Sequence, residues 1–221
     1  MGVAKSSSLN HRILSALVLA PVTMVLIYLG GYPYIAMIVV CAVLILREWI
    51  RMAGKGRHMM RDSVIGILYV LISGAALIDL RLRHDDTGLF LVVALLLVVW
   101  ASDTGAYIFG KTIGGPKMCP SISPNKTWAG FAGAMVFPAA TLAVLVAAVH
   151  MPVNAIIAAF MAGALFGVVG QAGDLLISMF KRRVGVKDTG TLIPGHGGLL
   201  DRADSLMLVA PVFLLAYLLW I

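Results

Sequence analysis

Charge is what this sequence has least of. Only 12% of its 221 residues are Asp, Glu, Lys or Arg, against 61% hydrophobic, and the mean hydropathy is +0.98. A soluble domain needs a charged surface that this chain cannot supply, so the composition excludes a water-soluble globule and leaves an integral membrane protein. Acids are scarcer than bases, 10 against 17, giving a net charge of +7. Membrane proteins gather Lys and Arg in cytoplasmic loops and beside lipid headgroups, so the surplus does not call for nucleic acid, which is not an expected partner. Cysteine is nearly absent: Cys41 lies in an apolar run and Cys119 in a polar loop, with no metal-type spacing and little prospect of pairing across a bilayer. No tandem repeat, low-complexity tract or long linker appears, so residues 1–221 read as a single integral membrane domain. A small-x-small cleavage site is also missing before Gly30-Gly31, and the run from Ile13 to Leu29 is expected to be a retained membrane helix.

What the chain does have is apolar runs. A spanning helix needs about 20 mostly apolar residues. Seven runs approach or reach that length, at 13–30, 33–46 (extending through Trp49), 64–80, 88–109, 129–149, 155–180 and 205–221. The expected fold is therefore all-α, a polytopic transmembrane helical bundle of about seven spans. Lys5 and Arg12, the cluster from Arg47 to Arg61, then Lys111, Lys117 and Lys126, and the cluster from Lys181 to Arg202 all fall on one side of such a bundle. Of the 17 basic residues, Arg81 and Arg83 alone fall on the other. The positive-inside rule then puts the N-terminus in the cytoplasm and the C-terminus outside.

Ionisable residues inside spans are costly and mark interiors, cavities or functional sites. Asp103 in "VVWASDTGAYIFG" and Asp174 in "VVGQAGDLLISMF" are two such residues. Gly163, Gly167, Gly170, Asp174 and Ser178 recur at helical spacing on one face, where glycines admit a neighbouring helix and the polar groups continue the stripe. A packing face with one buried polar pair would leave the same pattern. Asp201 and Asp204 share a face at the start of the last helix, where capping would also favour acids. If the last two helices pack side by side, Asp174, Ser178, Asp201 and Asp204 converge as hard oxygen ligands suited to Mg²⁺. Between them, Lys181, Arg182, Arg183 and Lys187 could clamp phosphate, and the glycines of "PGHGG" let backbone N–H groups approach an anion. His196 in that turn could donate to phosphate or be structural.

One formal motif fails on context. "GAYIFGKT", Gly105 to Thr112, spells a P-loop, but that loop works between a strand and a helix, and here its variable positions are Ala-Tyr-Ile-Phe at the end of a span, followed by the helix-breaking "IGGPKMCP". Likewise Asn125-Lys126-Thr127 spells a glycosylation acceptor on the expected cytoplasmic side.

The stretch from Ser178 to Asp204, "SMFKRRVGVKDTGTLIPGHGGLLDRAD", resembles the signature of the phosphatidate cytidylyltransferases, or CDP-diacylglycerol synthases: S-x-x-K-R, K-D-x-G, P-G-H-G-G and D-R-x-D at fixed separations. "SDTGAYIFGK" around Asp103 and "SPNKTWAG" from Ser123 are similar to the same family. Ala203 stands where a larger apolar residue is usual, Ala129 where Glu or Gln is common, and the chain is shorter than many members at its N-terminal end. The resemblance implies that CTP and phosphatidate give CDP-diacylglycerol and pyrophosphate, at the cytoplasmic face of the cell (inner) membrane. Spans in 1–87 would precede a catalytic part, 88–221. It implies roles for Asp174, Ser178, Lys181, Arg182, Lys187, Asp188, His196, Asp201, Arg202 and Asp204 in catalysis. Asp174, Asp201 and Asp204 would hold Mg²⁺, beside a second cation, monovalent or divalent. Asp103, Lys111, Ser123, Lys126 and Thr127 would bind the nucleotide. A homodimer is a candidate assembly.

Two rivals differ in testable ways. A CTP-dependent polyprenol kinase, or another lipid cytidylyltransferase, would need similar acids and cations, but a kinase transfers the γ-phosphate. An ion-coupled transporter would place a site at the bilayer midplane between repeated halves, and no repeat is visible.

Overall fold

A computed structural model describes residues 17–192 and 197–220. Each of the seven expected apolar runs falls on a helix. Helix α1 is described from Leu17 to Leu29, followed by α2 (Gly31–Ala53), α3 (Met59–Leu82), α4 (Asp85–Thr112), α5 (Trp128–Ala148), α6 (Val153–Arg183) and α7 (Leu200–Trp220). Five of them, α3 to α7, are long and apolar enough to cross a membrane. Lys5 and Arg12, used above for orientation, lie outside the described residues.

Helices outrun their apolar stretches where polar ends can reach water. The 31 residues of α6 span about 46 Å, more than the roughly 30 Å of hydrocarbon, and its last turn carries Lys181, Arg182 and Arg183, cations that suit the negative end of the helix dipole. The would-be P-loop lies wholly within α4, as its context required. The glycines after α4, Gly114 and Gly115, both have positive φ, which turns the chain out of the helix.

One expectation needs correction. Residues 113–127 read as a loop, yet they contain a short antiparallel hairpin, β1 (Lys117–Cys119) with β2 (Ser123–Thr127), pairing Lys117 with Thr127 and Cys119 with Ser123 across an irregular register. Thr127 ends the hairpin and starts α5, its side chain accepting the N–H of Gly130 at 3.1 Å as an N-cap.

The described residues form two compact units. The first comprises residues up to Leu89 together with Lys181–Ala203. Its core is built on α2 and α3: Trp49 donates from Nε1 to the carbonyl of Asp62 at 2.8 Å, and Tyr34 donates from Oη to Leu77 at 3.0 Å. Trp49 fits because Gly66 opposite has no Cβ, which would lie 2.2 Å from the indole. The buried Arg81 of α3 donates to the carbonyls of Ile27 and Tyr28 at 2.7 and 2.9 Å, satisfying the open C-terminal end of α1.

The second unit comprises Phe90–Phe180 with the residues from Asp204 on. Here α4 and α5 meet at Gly105 and Gly133, where a Cβ on either would lie 2.3 Å from the other's carbonyl oxygen. Pro138 within α5 has no N–H for the carbonyl of Ala134 one turn earlier, and Ser102 Oγ of α4 supplies the missing donor at 3.1 Å. The glycine stripe of α6 packs as expected: Gly163 and Gly167 lie against Pro138 and Ala134 of α5, and Gly170 against Val209 of α7. Gly173, off that stripe, brings α6 onto the Asp204 carbonyl of α7.

Candidate active site

In the second unit, the close approach of α4 and α5 and the hairpin before α5 enclose a cavity of about 240 Å³. Asp103 and Tyr107 reach it from α4, and Asn125 and Lys126 from β2. Phe131 of α5 supplies an aromatic wall, while Gln171 and Asp174 come from successive turns of α6. Lys126 links the strand to the helix: its ammonium lies 2.8 Å from Gln171 Oε1 and 2.8 Å from Asp174 Oδ2. Asp174 Oδ1 accepts from Ser178 at 3.2 Å, so the expected Asp-Ser pair on α6 is formed. Lys126 is 15% exposed and Asp174 31%, which leaves the carboxylate open to the cavity and the lysine held beneath it. Lys111 lies on the exposed end of α4 and donates to Tyr107 Oη at 3.1 Å. Ser123 opens β2, and Thr127 is committed to capping α5.

Asp201 belongs to the first unit, and its carboxylate is heavily used. Lys181 donates to Oδ1 at 2.7 Å, while Oδ2 accepts from the N–H of Thr189 at 2.9 Å, the hydroxyl of Thr189 at 3.0 Å and the N–H of Gly198 at 3.2 Å. Lys181 and Asp201 are both nearly buried. The lysine expected to meet phosphate is thus held by a carboxylate, and the N–H of Gly198, expected to face an anion from the substrate, faces Asp201 instead. Of that turn, Pro194, Gly195 and His196 lie outside the described residues, so the finding concerns Gly198 alone. Lys187 and Asp188 are exposed, as is Arg202. Arg182 donates to the carbonyl of Val186 at 3.4 Å. Asp204 Oδ1 accepts from the N–H of Ser205 at 2.8 Å. His196 lies outside the described residues.

Among the described residues, no group of three or more His, Cys, Asp or Glu side chains stands close enough to hold a metal ion. Within its own unit Asp174 is paired with Lys126, and within its own unit Asp201 is paired with Lys181.

Sequence reasoning missed three participants. Gln171 sits one turn before Asp174, and Tyr107 one turn after Asp103, so each could have been found as the i±3 or i±4 neighbour of an acid already singled out. The third is Glu48, the only glutamate in the chain. It is 5% exposed in α2, and it accepts from the N–H groups of Leu199 and Leu200 and from the hydroxyl of Thr189.

Comparison with known proteins adds the last observation. A family model described as the cytidylyltransferase family matches residues 55–220. A phosphatidate cytidylyltransferase of Rickettsia conorii is 35% identical over 218 residues, covering 96% of this chain and 92% of the relative. One from Staphylococcus haemolyticus is 40% identical over 158 residues, and one from Brucella suis biovar 1 is 39% identical over 181. These two cover 72% and 79% of this chain, but only 60% and 61% of the relatives' own length. With three quarters of its length inside the family match and its signature residues arrayed as described, the chain belongs to the cytidylyltransferase family.

Proposed function

We propose that this protein transfers a cytidylyl group from CTP to phosphatidate, releasing pyrophosphate and leaving CDP-diacylglycerol in the membrane. The observation that carries the reading is the Lys126–Asp174 pair, 2.8 Å apart, in a cavity set among helices apolar enough to cross a membrane. An oxygen of the lipid phosphate forms a bond to the α-phosphorus of CTP, and the bond from that phosphorus to the bridging oxygen of the β-phosphate breaks, so pyrophosphate leaves with the electron pair. The attacking oxygen is already anionic near neutral pH, so positioning and charge neutralisation carry the reaction rather than a strong base. Lys126 places a positive charge at the cavity wall for a phosphate, and Asn125 and Gln171 present amides that can read a pyrimidine's polar edge. Phe131 and Tyr107 offer aromatic surface to its faces. The exposed Lys187 offers a cation to a substrate phosphate.

The residues fit Mg²⁺. The cavity's carboxylates, Asp174 and Asp103, are hard oxygen donors, and Mg²⁺ is commonly held by one or two carboxylates with waters and substrate phosphates completing its shell. Asp174, of the three expected ligands, is the one that opens into the cavity, with Ser178 steadying its other oxygen. Bound there, Mg²⁺ would neutralise phosphate charge and act as a Lewis acid on the transferring group. The same reading places the enzyme in the cell (inner) membrane, multi-pass, with the cavity and the Lys181–Arg202 segment on the cytoplasmic side where the basic residues collect.

The test uses purified protein in detergent with phosphatidate, Mg²⁺ and CTP labelled at the α- or the γ-phosphate. Label from the α position retained in lipid is expected. Label arriving from the γ position would make the enzyme a kinase, and label in neither case would overturn both readings.

A further inference from the structure

Glu48 precedes the part of the chain that the family model matches, and it lies outside the signature. Its hydrogen-bond partners nevertheless lie within the signature stretch, Ser178 to Asp204. Oε1 accepts from the N–H of Leu199 at 3.0 Å, and Oε2 from the N–H of Leu200 at 2.9 Å and the hydroxyl of Thr189 at 3.0 Å. Leu200 opens α7, and the first N–H groups of a helix have no acceptor within it. A carboxylate reaching over from α2 therefore serves as the cap, and the positive end of the helix dipole favours its charge.

An independent observation concerns space. A Cβ at Gly190 would lie 2.7 Å from Glu48 Oε1, and one at Gly198 would lie 2.5 Å from Oε2. Two glycines of the signature thus leave room for this side chain. A third observation concerns Thr189, which is buried with its hydroxyl oxygen 3.0 Å from Glu48 Oε2 and 3.0 Å from Asp201 Oδ2. A hydroxyl has one hydrogen, so it donates to one carboxylate at a time. Glu48 is the second acceptor that lets Thr189 turn from Asp201 without leaving a buried donor unpaired.

We propose that Glu48 is a positioning residue for cytidylyl transfer: it anchors Thr189 and the first turn of α7, and through them sets where Asp201 and Lys181 stand. The inference rests on the reaction proposed above, but the anchor itself does not, and the experiment separates the two.

Glu48→Gln keeps the shape of the side chain and replaces one oxygen by an NH₂ group, which meets the N–H of Leu199 or Leu200 donor to donor. The full chain in detergent would be assayed for kcat and for KM of CTP, and hydrogen–deuterium exchange would be followed in the segment 187–202. The expected result is a fall in kcat of about tenfold or more with KM for CTP changed by less than about twofold, because the nucleotide cavity is built from other residues. Amides of Leu199 and Leu200 should exchange about tenfold faster or more. A glutamate that merely fills space would be replaced by Gln without loss, so wild-type kcat and exchange in this variant overturn the proposal. If Glu48→Gln fails to fold, Gly190→Ala carries the test, since it keeps the glutamate and drives a methyl onto Oε1. The same fall in kcat and the same faster exchange are expected, and wild-type behaviour in Gly190→Ala overturns the proposal equally. Should the wild-type protein make no CDP-diacylglycerol, the functional reading fails alone, and unchanged exchange at Leu199 and Leu200 in Glu48→Gln would sink the anchor as well.

Discussion

Replacing Asp201 by Asn removes a charge and sets a donor against donors. The carboxylate accepts from Lys181 at one oxygen and from two N–H groups and a hydroxyl at the other, so either orientation of the amide leaves its NH₂ facing a hydrogen-bond donor. The orientation that spares the three donors at Oδ2 strands the ammonium of Lys181, which is 11% exposed beside a carboxylate 10% exposed. Removing one partner of a buried pair costs about 3–5 kcal/mol, because the other charge stays buried without compensation. For a chain of this size that corresponds to a drop in Tm of roughly 6–20 °C. Lys181→Met should cost less, about 1.5–3 kcal/mol, since Asp201 keeps the N–H groups of Thr189 and Gly198, and shares the Thr189 hydroxyl with Glu48, when the lysine goes. The double variant should be more stable than Asp201→Asn alone, because no ammonium is left stranded. Thermal unfolding in detergent, followed by helical circular dichroism, reads all three. An Asp201→Asn protein melting within about 2 °C of wild type, or Lys181→Met proving the more damaging, would refute the reasoning.

Asp174→Asn should behave in the opposite way: the residue is 31% exposed and opens into the cavity, so turnover should fall about a hundredfold or more, near 2.7 kcal/mol of barrier, with little change in melting. Near-normal incorporation of α-labelled CTP in that variant would remove Asp174 from the site. Arg183 lies 3.7 Å from the buried Asp62 but is itself 48% exposed, so Arg183→Ala should cost less than about 1 kcal/mol and leave kcat close to wild type. If it lowers turnover more than Lys187→Ala does, the division of labour in the basic segment is misread. With Cys41 and Cys119 replaced, a cysteine in place of Gly185 should resist an impermeant thiol reagent added outside intact cells and react in inverted vesicles. Labelling from outside would reverse the orientation.

The long apolar helices were legible because lipid leaves so few choices: a crossing needs a long apolar helix with its backbone satisfied internally. Helix ends were less legible, since polar residues such as Lys181 to Arg183 continue α6 past the apolar run while reading, in the sequence, as the next loop. The hairpin gave no signal at all. Its second strand is Ser-Pro-Asn-Lys-Thr, which has no alternation of apolar and polar residues and carries a proline. The glycine stripe of α6 announced close packing, but its partner could not be read, because the seat for Gly167 is the Ala134 carbonyl left without its N–H by Pro138 in another helix.

At the site, the acids inside spans were legible for the same reason as the spans, through the cost of charge in an apolar medium. Glu48 obeys the same rule and was passed over because Arg47 and Arg51 flank it, so the segment read as a basic membrane edge. That omission decided the reading of the glycine turn. N–H groups exposed by glycines suit any anion, and a sequence does not say whether the anion is a substrate phosphate or a side chain of the same protein. Here the N–H groups of Leu199 and Leu200 are taken by Glu48, and those of Thr189 and Gly198 by Asp201. A phosphate could use them only by displacing a carboxylate that is itself buried or nearly so, and an unpaired charge in such a place costs several kcal/mol. Exposed side chains such as Lys187 present no such cost. These four N–H groups, of Thr189, Gly198, Leu199 and Leu200, hold the protein's own acids in place, and side chains such as Lys187 and a cation are expected to hold the triphosphate.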